Sequence, residues 1–346
     1  MRGTFHVLSA RESPRLLSVV IPIYNEEQVI PLLVARLEAV FQQLPCPVEV
    51  ILVNDGSSDG SILQLRDLAV RDSRFRVLCF ARNFGHQAAA TAGLDVARGD
   101  AVVLMDADLQ DPPELVFEML VEYRKGYDVV YAQRVRRDGE TFFKRWSAWL
   151  FYRLMRKLVY KDLPADAGDF RLVSRRCLQA LKSMRETHRF LRGMVSWVGF
   201  PQTAVPFVRK PRAAGETMYP FRKMLTFAWV AALSFSPAAL RVSFLMGGVL
   251  FLVGIIYGIY SVARILLGLY VVRGWASLIL INLLTSGAVM IAIGVLGEYV
   301  ARIFEENKGR PLYVISERFN VEPEAWPMSV PLDHMNANPI AANESK

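Results

Sequence analysis

Three short clusters in this chain carry residue types suited to chemistry. Asp106 and Asp108 stand two apart, after the apolar run AVVLM and ahead of Pro112-Pro113. An Asp-x-Asp pair of this kind offers clustered carboxylate oxygens, the donors that hard divalent cations such as Mg²⁺ take together with a substrate's phosphates. Asn54-Asp55-Gly56-Ser57-Ser58-Asp59 follows a second apolar run, and Tyr24-Asn25-Glu26 follows a third that ends in Pro22-Ile23. Here a ring face for stacking lies beside carboxylates able to accept from N–H or hydroxyl groups. Several neighbours have plainer readings. Asp59 suits a helix N-cap, Gln110 a surface turn, and Arg82 and Asn83 a structural loop. His86, with no other His near it in sequence, reads as a packing or capping residue.

The elements that must position these residues alternate. Short β-branched runs predict strands at Leu17–Ile23, 48–53, Phe75–Phe80, 101–105 and 128–131, with helices at 27–43, 60–71, 86–98 and 113–125. Strand and helix in turn at this spacing predict an α/β fold, a mostly parallel sheet covered on both faces. Ligands of such sheets bind beyond the carboxyl ends of the strands, at a topological switch point. The three acidic strand ends converge on that edge.

Composition adds a second environment. The 346 residues are 53% hydrophobic and 21% charged, with a mean hydropathy of +0.24, so part of the chain is expected outside water. These values exclude a disordered, collagen-like or disulfide-scaffold protein. Cys46, Cys79 and Cys177 form no CxxC or metal-ligand pattern, which suits a reducing compartment. Residues 244–263 and 276–297 hold no charged side chain. Each stretch of about 20 residues is long enough to cross the roughly 30 Å hydrocarbon core. They predict a transmembrane hairpin at 241–300, with spans at about 244–268 and 275–297, rather than a pair of buried core helices. Arg264 and Arg273 near its turn can snorkel to the interface.

Arg209, Lys210, Arg212, Arg222, Lys223 and Arg241 precede the first span, and Arg302, Lys308 and Arg310 follow the second. Positive charge beside spans belongs on the cytoplasmic side. That places the large N-terminal region and both termini in the cytoplasm of a multi-pass plasma-membrane protein. Residues 1–15 hold no sustained apolar run, so no cleavable signal peptide is expected. Segments 141–161 and 221–235 mix aromatics with Lys and Arg, a pattern for interfacial amphipathic helices or for packed helices with solvated charged faces. The domain reading is an N-terminal extension (1–16), a cytoplasmic catalytic domain (17–220), a juxtamembrane helix (221–240), the hairpin, and a tail (301–346) disordered from about 322. The net charge of +8 suits phosphates and anionic lipids. No nucleic-acid motif appears, and no nucleic acid is expected as a partner.

VVIPIYNEE, VNDGSSDGS, RNFGHQAAATAGLDVARGD and MDADLQDPPE, in that order ahead of the hairpin, together resemble a family 2 glycosyltransferase with the GT-A fold. More narrowly, the chain is similar to polyprenyl-phosphate glycosyltransferases: dolichol-phosphate mannose synthases and bacterial undecaprenyl-phosphate glucosyl and aminoarabinosyl transferases. GEYVARIFEENKGRPLY after the second span extends the likeness. The resemblance implies inverting transfer of one sugar from a nucleotide sugar, UDP-glucose or a related UDP-hexose, to undecaprenyl phosphate. It implies Pro22, Tyr24, Glu26, Asp55, Asp106, Gln110 and Arg134 around the nucleotide sugar. It places Mg²⁺ or Mn²⁺ on Asp106 and Asp108. Asp166 and Asp169 in DAGDFR match the acidic acceptor-side motif, as base or as positioning groups. Arg171, Arg212, Arg222 and Lys223 are implied at the acceptor phosphate, with membrane lipids around it and a homo-oligomer, a tetramer, as the assembly. The chain departs from the family's GESKY block, where Met218 replaces the usual Lys. A processive polysaccharide synthase would carry QxxRW, but Phe142 stands where the Gln would. A dinucleotide oxidoreductase would carry GxGxxG after the first strand, and none is present. A non-catalytic membrane scaffold would have little reason to keep the Asp-x-Asp.

Overall fold

The computed structural model describes residues 8–134, 167–207, part of 247–267, and 274–322. The described strands form one sheet: β1 (Leu17–Ile23), β2 (Val48–Asn54), β3 (Phe75–Phe80), β4 (Ala101–Leu104), β5 (Val129–Arg134), β6 (Ala167–Ser174), β7 (Gln202–Phe207) and β8 (Ile315–Phe319). Their order is β7-β5-β6-β4-β1-β2-β3-β8. β1 pairs in parallel with β2 and β4, β2 with β3, and β5 with β7. β6 lies antiparallel between β4 and β5, and β8 lies antiparallel on β3. All but these two strands therefore run the same way, giving the mostly parallel α/β sheet that the sequence predicts.

Helices α1 (Ile30–Phe41), α2 (Ser61–Arg71) and α4 (Leu115–Arg124) cover one face. α3 (His86–Val96), α5 (Arg175–Ser183) and α6 (Leu191–Trp197) cover the other. The strand alternation divides between them. Leu17, Val19, Ile21 and Ile23 of β1 join the first core, and Val20 joins the second beside Ile51 and Val53 of β2. Burial on both faces is why these strands read as unbroken apolar runs. Gly93 lets α3 sit close: a Cβ there would lie 2.2 Å from Val20 Cγ1.

The chain leaves β1 toward β2 and β3 on one side, while β4 lies on the other. The switch point is thus between the carboxyl ends of β1 and β4. The opposite edge, where these strands begin, holds two compensated carboxylates. Glu49 accepts from Ser18 Oγ at 2.6 Å, Arg98 N at 2.7 Å and Arg76 Nη1 at 2.8 Å. Asp128 accepts from Ser174 Oγ at 2.6 Å, Arg176 Nε at 2.6 Å and Arg11 Nη2 at 2.8 Å.

α7 (Trp275–Asn307) contains a stretch, Leu284–Asn307, long and apolar enough to cross a membrane, and its apolar part is unburied. Leu284, Met290, Ile291 and Phe304 on it are all more than half exposed, as expected of a helix that faces lipid. The helix continues about ten residues past the predicted span, where Glu298 and Arg302 pair one turn apart at 3.4 Å. The first predicted span falls partly outside the described residues, as do all of 141–161 and 221–235; Val249, Leu252 and Ile256 are helical and exposed. Beyond α7 the chain returns to the sheet. Tyr313 stacks on Phe80 with ring centroids 5.1 Å apart and donates to Asp95 Oδ2 at 2.7 Å, and β8 follows. Residues 315–319, read from sequence as tail, therefore form an edge strand.

Candidate active site

The loops beyond β1 and β2 are joined by short polar side chains. Asn25, at φ 53, donates its N–H to Ser57 Oγ at 3.0 Å, and its Oδ1 accepts from Ser58 N at 2.8 Å. Glu26 N donates to Ser61 Oγ at 3.1 Å, and Asp59 accepts from Ser61 N and Glu27 N. Asp59, expected as the cap, sits one residue before it: Gly60 is the N-cap of α2 and makes no side-chain cap bond, while Asp59 ties the first helical N–H to the β1 loop. Gly56 packs directly on the loop after β3, where a Cβ would lie 2.4 Å from Arg82 C, and its φ of +66 also requires glycine.

Asp55, expected beside base or ribose, has a different first task in this arrangement. It is buried, and its carboxylate accepts from Phe84 N at 2.7 Å and Gly85 N at 3.0 Å, fixing the turn that leads into α3. Burial pushes its carboxyl up, and these two bonds draw it back only in part. Pro22 is buried within β1, whereas Tyr24 is 48% exposed at the strand's end, free to meet a flat ring.

β4 delivers the Asp-x-Asp. Met105 N bonds Val20 O at 3.1 Å, so Asp106 emerges directly at the switch point. Leu109 adopts φ 56 while buried, a conformation that costs a bulky residue about 1 kcal/mol or more. That strain tightens the turn in which Asp108 Oδ1 accepts from Gln110 N at 3.1 Å. Gln110 is itself buried.

Two residues that sequence reasoning did not assign complete the arrangement. His86, at the first turn of α3, places Nε2 3.5 Å from Asp106 Oδ1 and 3.7 Å from Asp169 Oδ2. Arg192, on α6, grips Asp169 with a two-pronged contact, Nε to Oδ1 at 2.7 Å and Nη2 to Oδ2 at 2.8 Å. Burial alone would raise the Asp169 carboxyl; Arg192, with Arg171 behind it, holds it well below the usual carboxylate range. Burial pushes Asp106 up; His86 opposes this, while Asp169 and Asp108 add to it. Asp106 Oδ1 is shielded from solvent and has no hydrogen-bond partner among the described residues. One donor atom each from His86, Asp106 and Asp169 lies within 4.8 Å of the others. Two carboxylates and an imidazole, one oxygen lacking a hydrogen-bond donor, are a donor set that fits a divalent cation.

Arg171, expected at the acceptor phosphate, turns inward instead. It is 5% exposed, donates to Gly168 O at 2.9 Å, and burial brings its guanidinium down to about 10. It braces β6 behind Asp169. Arg134 closes β5, but its side chain lies outside the described residues, as do Asp166, Arg212, Met218, Arg222 and Lys223.

Comparison with known proteins gives the family. The sequence profile of Glycosyl transferase family 2 matches residues 18–182. The chain is 46% identical to the uncharacterized glycosyltransferase YkcC of Bacillus subtilis over 88% of its own length and 94% of that protein's. The chain belongs to glycosyltransferase family 2. Among its other relatives, this family 2 glycosyltransferase is 38% identical to the prophage bactoprenol glucosyl transferase homolog of Escherichia coli, covering 86% of this chain and 98% of the other. Glucosyl-3-phosphoglycerate synthase from Mycobacterium tuberculosis, solved with Mn²⁺, UDP and phosphoglyceric acid, is similar over 63% of this chain and 76% of its own, with 21% identity and a TM-score of 0.46.

Proposed function

We propose that this enzyme moves a single sugar from a nucleotide sugar, a UDP-hexose such as UDP-glucose, to undecaprenyl phosphate at the cytoplasmic face of the membrane. The observation that carries the reading is the carboxylate cluster at the switch point, with the uncompensated oxygen of Asp106 at its centre. The acceptor is supported by the relatives that bear the name bactoprenol glucosyl transferase, and by α7, which would hold the site beside the bilayer.

In this reading Tyr24 stacks on the base, with Pro22, Glu26 and Gln110 lining the nucleotide pocket whose wall Asp55 holds in place. Asp106 and Asp108, with His86 and Asp169 beside them, would hold Mg²⁺ or Mn²⁺, whose charge stabilises a departing diphosphate. A polyprenyl phosphate is already ionised at neutral pH, so its oxygen can attack C1 without surrendering a proton. The C1–diphosphate bond breaks as the new C1–O bond forms on the opposite face, inverting the anomer. Asp169, held ionised by Arg192, is a weak base, so it positions groups at the cation and the acceptor rather than abstracting a proton. Arg134, Asp166, Arg212, Arg222 and Lys223 remain the residues proposed to meet the phosphates and the acceptor. Both termini lie in the cytoplasm, two spans form the hairpin at 241–300, and the assembly is a tetramer. Bringing two phosphates together at the headgroup plane is the entropic contribution of the anchor.

The test is direct. Membranes holding the protein are incubated with labelled nucleotide sugars and undecaprenyl phosphate, and label is sought in the lipid fraction. Lipid-bound label from a UDP-hexose is expected, and it should vanish with Asp106→Asn. Label in long polymer, or none in lipid from any donor, would overturn the reading.

A further inference from the structure

Resting on that reading, we infer that His86 is a third ligand of the cation, a nitrogen donor that makes the site prefer Mn²⁺ to Mg²⁺. The geometry separates this role from an ordinary hydrogen bond. Hydrogen bonds from a ring N–H to a carboxylate close to about 2.7–3.2 Å. His86 Nε2 stops at 3.5 Å from Asp106 Oδ1 and 3.7 Å from Asp169 Oδ2. Two donors on one six-coordinate ion, each bonded at about 2.1 Å, stand roughly 3.0 Å apart when adjacent and 4.2 Å when opposite. Both observed separations fall inside that interval. The buried oxygen facing the ring, Asp106 Oδ1, has no hydrogen-bond partner among the described residues.

The three donors come from different elements. α3 brings His86, the end of β4 brings Asp106, and β6 brings Asp169. Each is independently held: His86 by the turn that Asp55 fixes, Asp169 by the Arg192 fork. An imidazole among carboxylates shifts the preference away from an all-oxygen ion such as Mg²⁺ and toward transition metals. The rival arrangement is a protonated His86 serving as counter-charge to the two carboxylates. It makes the opposite prediction, because deleting that charge would let a divalent cation bind more tightly.

Full-length protein in lipid nanodiscs would be titrated with Mn²⁺ and with Mg²⁺, each with UDP present, and the Mn²⁺ complex examined by pulsed EPR for ¹⁴N coupling. Wild type should show imidazole nitrogen coupled to Mn²⁺ and bind Mn²⁺ about tenfold or more tightly than Mg²⁺. His86→Ala and His86→Asn should both lose the coupling and weaken Mn²⁺ about tenfold, with Mg²⁺ changed less. Absence of ¹⁴N coupling in wild type, or equal or tighter Mn²⁺ binding in His86→Ala, overturns the inference. Asp106→Asn separates the two levels. If it abolishes Mn²⁺ binding while His86→Ala binds Mn²⁺ as tightly as wild type, only the role of His86 falls. If Mn²⁺ binding survives Asp106→Asn, or wild type binds none, the metal reading falls with it.

Discussion

Carboxylates stand at both edges of the sheet, and the two edges treat them in opposite ways. Where the parallel strands begin, Glu49 is met by Ser18, Arg98 and Arg76, and Asp128 by Ser174, Arg176 and Arg11. Where the strands end, Asp106 keeps a buried oxygen without a hydrogen-bond donor among the described residues, and Asp108 and Asp169 add negative charge beside it. The first edge spends its charges on holding the fold. The second answers Asp169 with Arg192 but leaves Asp106 under-compensated, at a cost in stability that makes sense only if something else completes it.

The comparison is broken most sharply by exchanging the two kinds of carboxylate. Asp106→Asn should lower the transfer rate by about 10³-fold while leaving Tm unchanged or higher, since it removes a poorly compensated charge; a lipid-label assay and a melting curve read both. Glu49→Ala should do the reverse. It strands the Arg76 guanidinium, which is 1% exposed, and should cost about 3 kcal/mol of stability with the rate per folded molecule intact. Arg192→Ala lies between: loss of the fork on Asp169 should reduce kcat about 10- to 100-fold, while KM for the nucleotide sugar stays near wild type.

Acid sharpens the same contrast. Burial alone would raise Glu49 and Asp128, but the hydrogen bonds and Arg partners hold both carboxyls below their ordinary values. The stability they add is therefore complete above the unfolded carboxylate range of about 4 and lost as pH falls through their lower folded values. Melting curves taken from neutral pH downward should show a steep acid limb that Glu49→Ala flattens. The smallest effect belongs to the Arg66–Glu317 pair between α2 and β8, with both side chains near 40% exposed. Glu317→Gln should cost less than about 1 kcal/mol, and a larger loss would mean that β8 carries more of the fold than its exposure suggests.

What could be read from sequence follows the same physics. β1 to β5 were legible within a few residues because strands buried on both faces leave unbroken β-branched runs, and the Asp-x-Asp announced itself as polar residues where a core should continue. β7 (QTAVPF) and β8 (ISERF) were not, because short edge strands alternate with polar residues and carry little periodic signal. His86 was set aside for want of another His nearby in sequence. Its partners lie 20 and 83 positions onward, and only the switch point brings them together. Arg192 had no local signal at all, since its meaning is the Asp169 carboxylate across from α6. Arg171 misled for the same reason: a motif position fixes a residue's place on a strand, while packing decides which way a guanidinium faces.

The placement of β8 reaches into biosynthesis. Arg76 Nε donates to Asn320 O across 244 residues of chain, so the open flank of β3 must wait until residue 320 has been made before it is closed. Until then a nascent chain, already carrying the apolar α7, presents an unpaired strand edge to its surroundings. A ribosome that stops short of residue 315 releases a sheet with one side unsewn, and that, more than any loss of a catalytic group, would mark the product for aggregation or disposal.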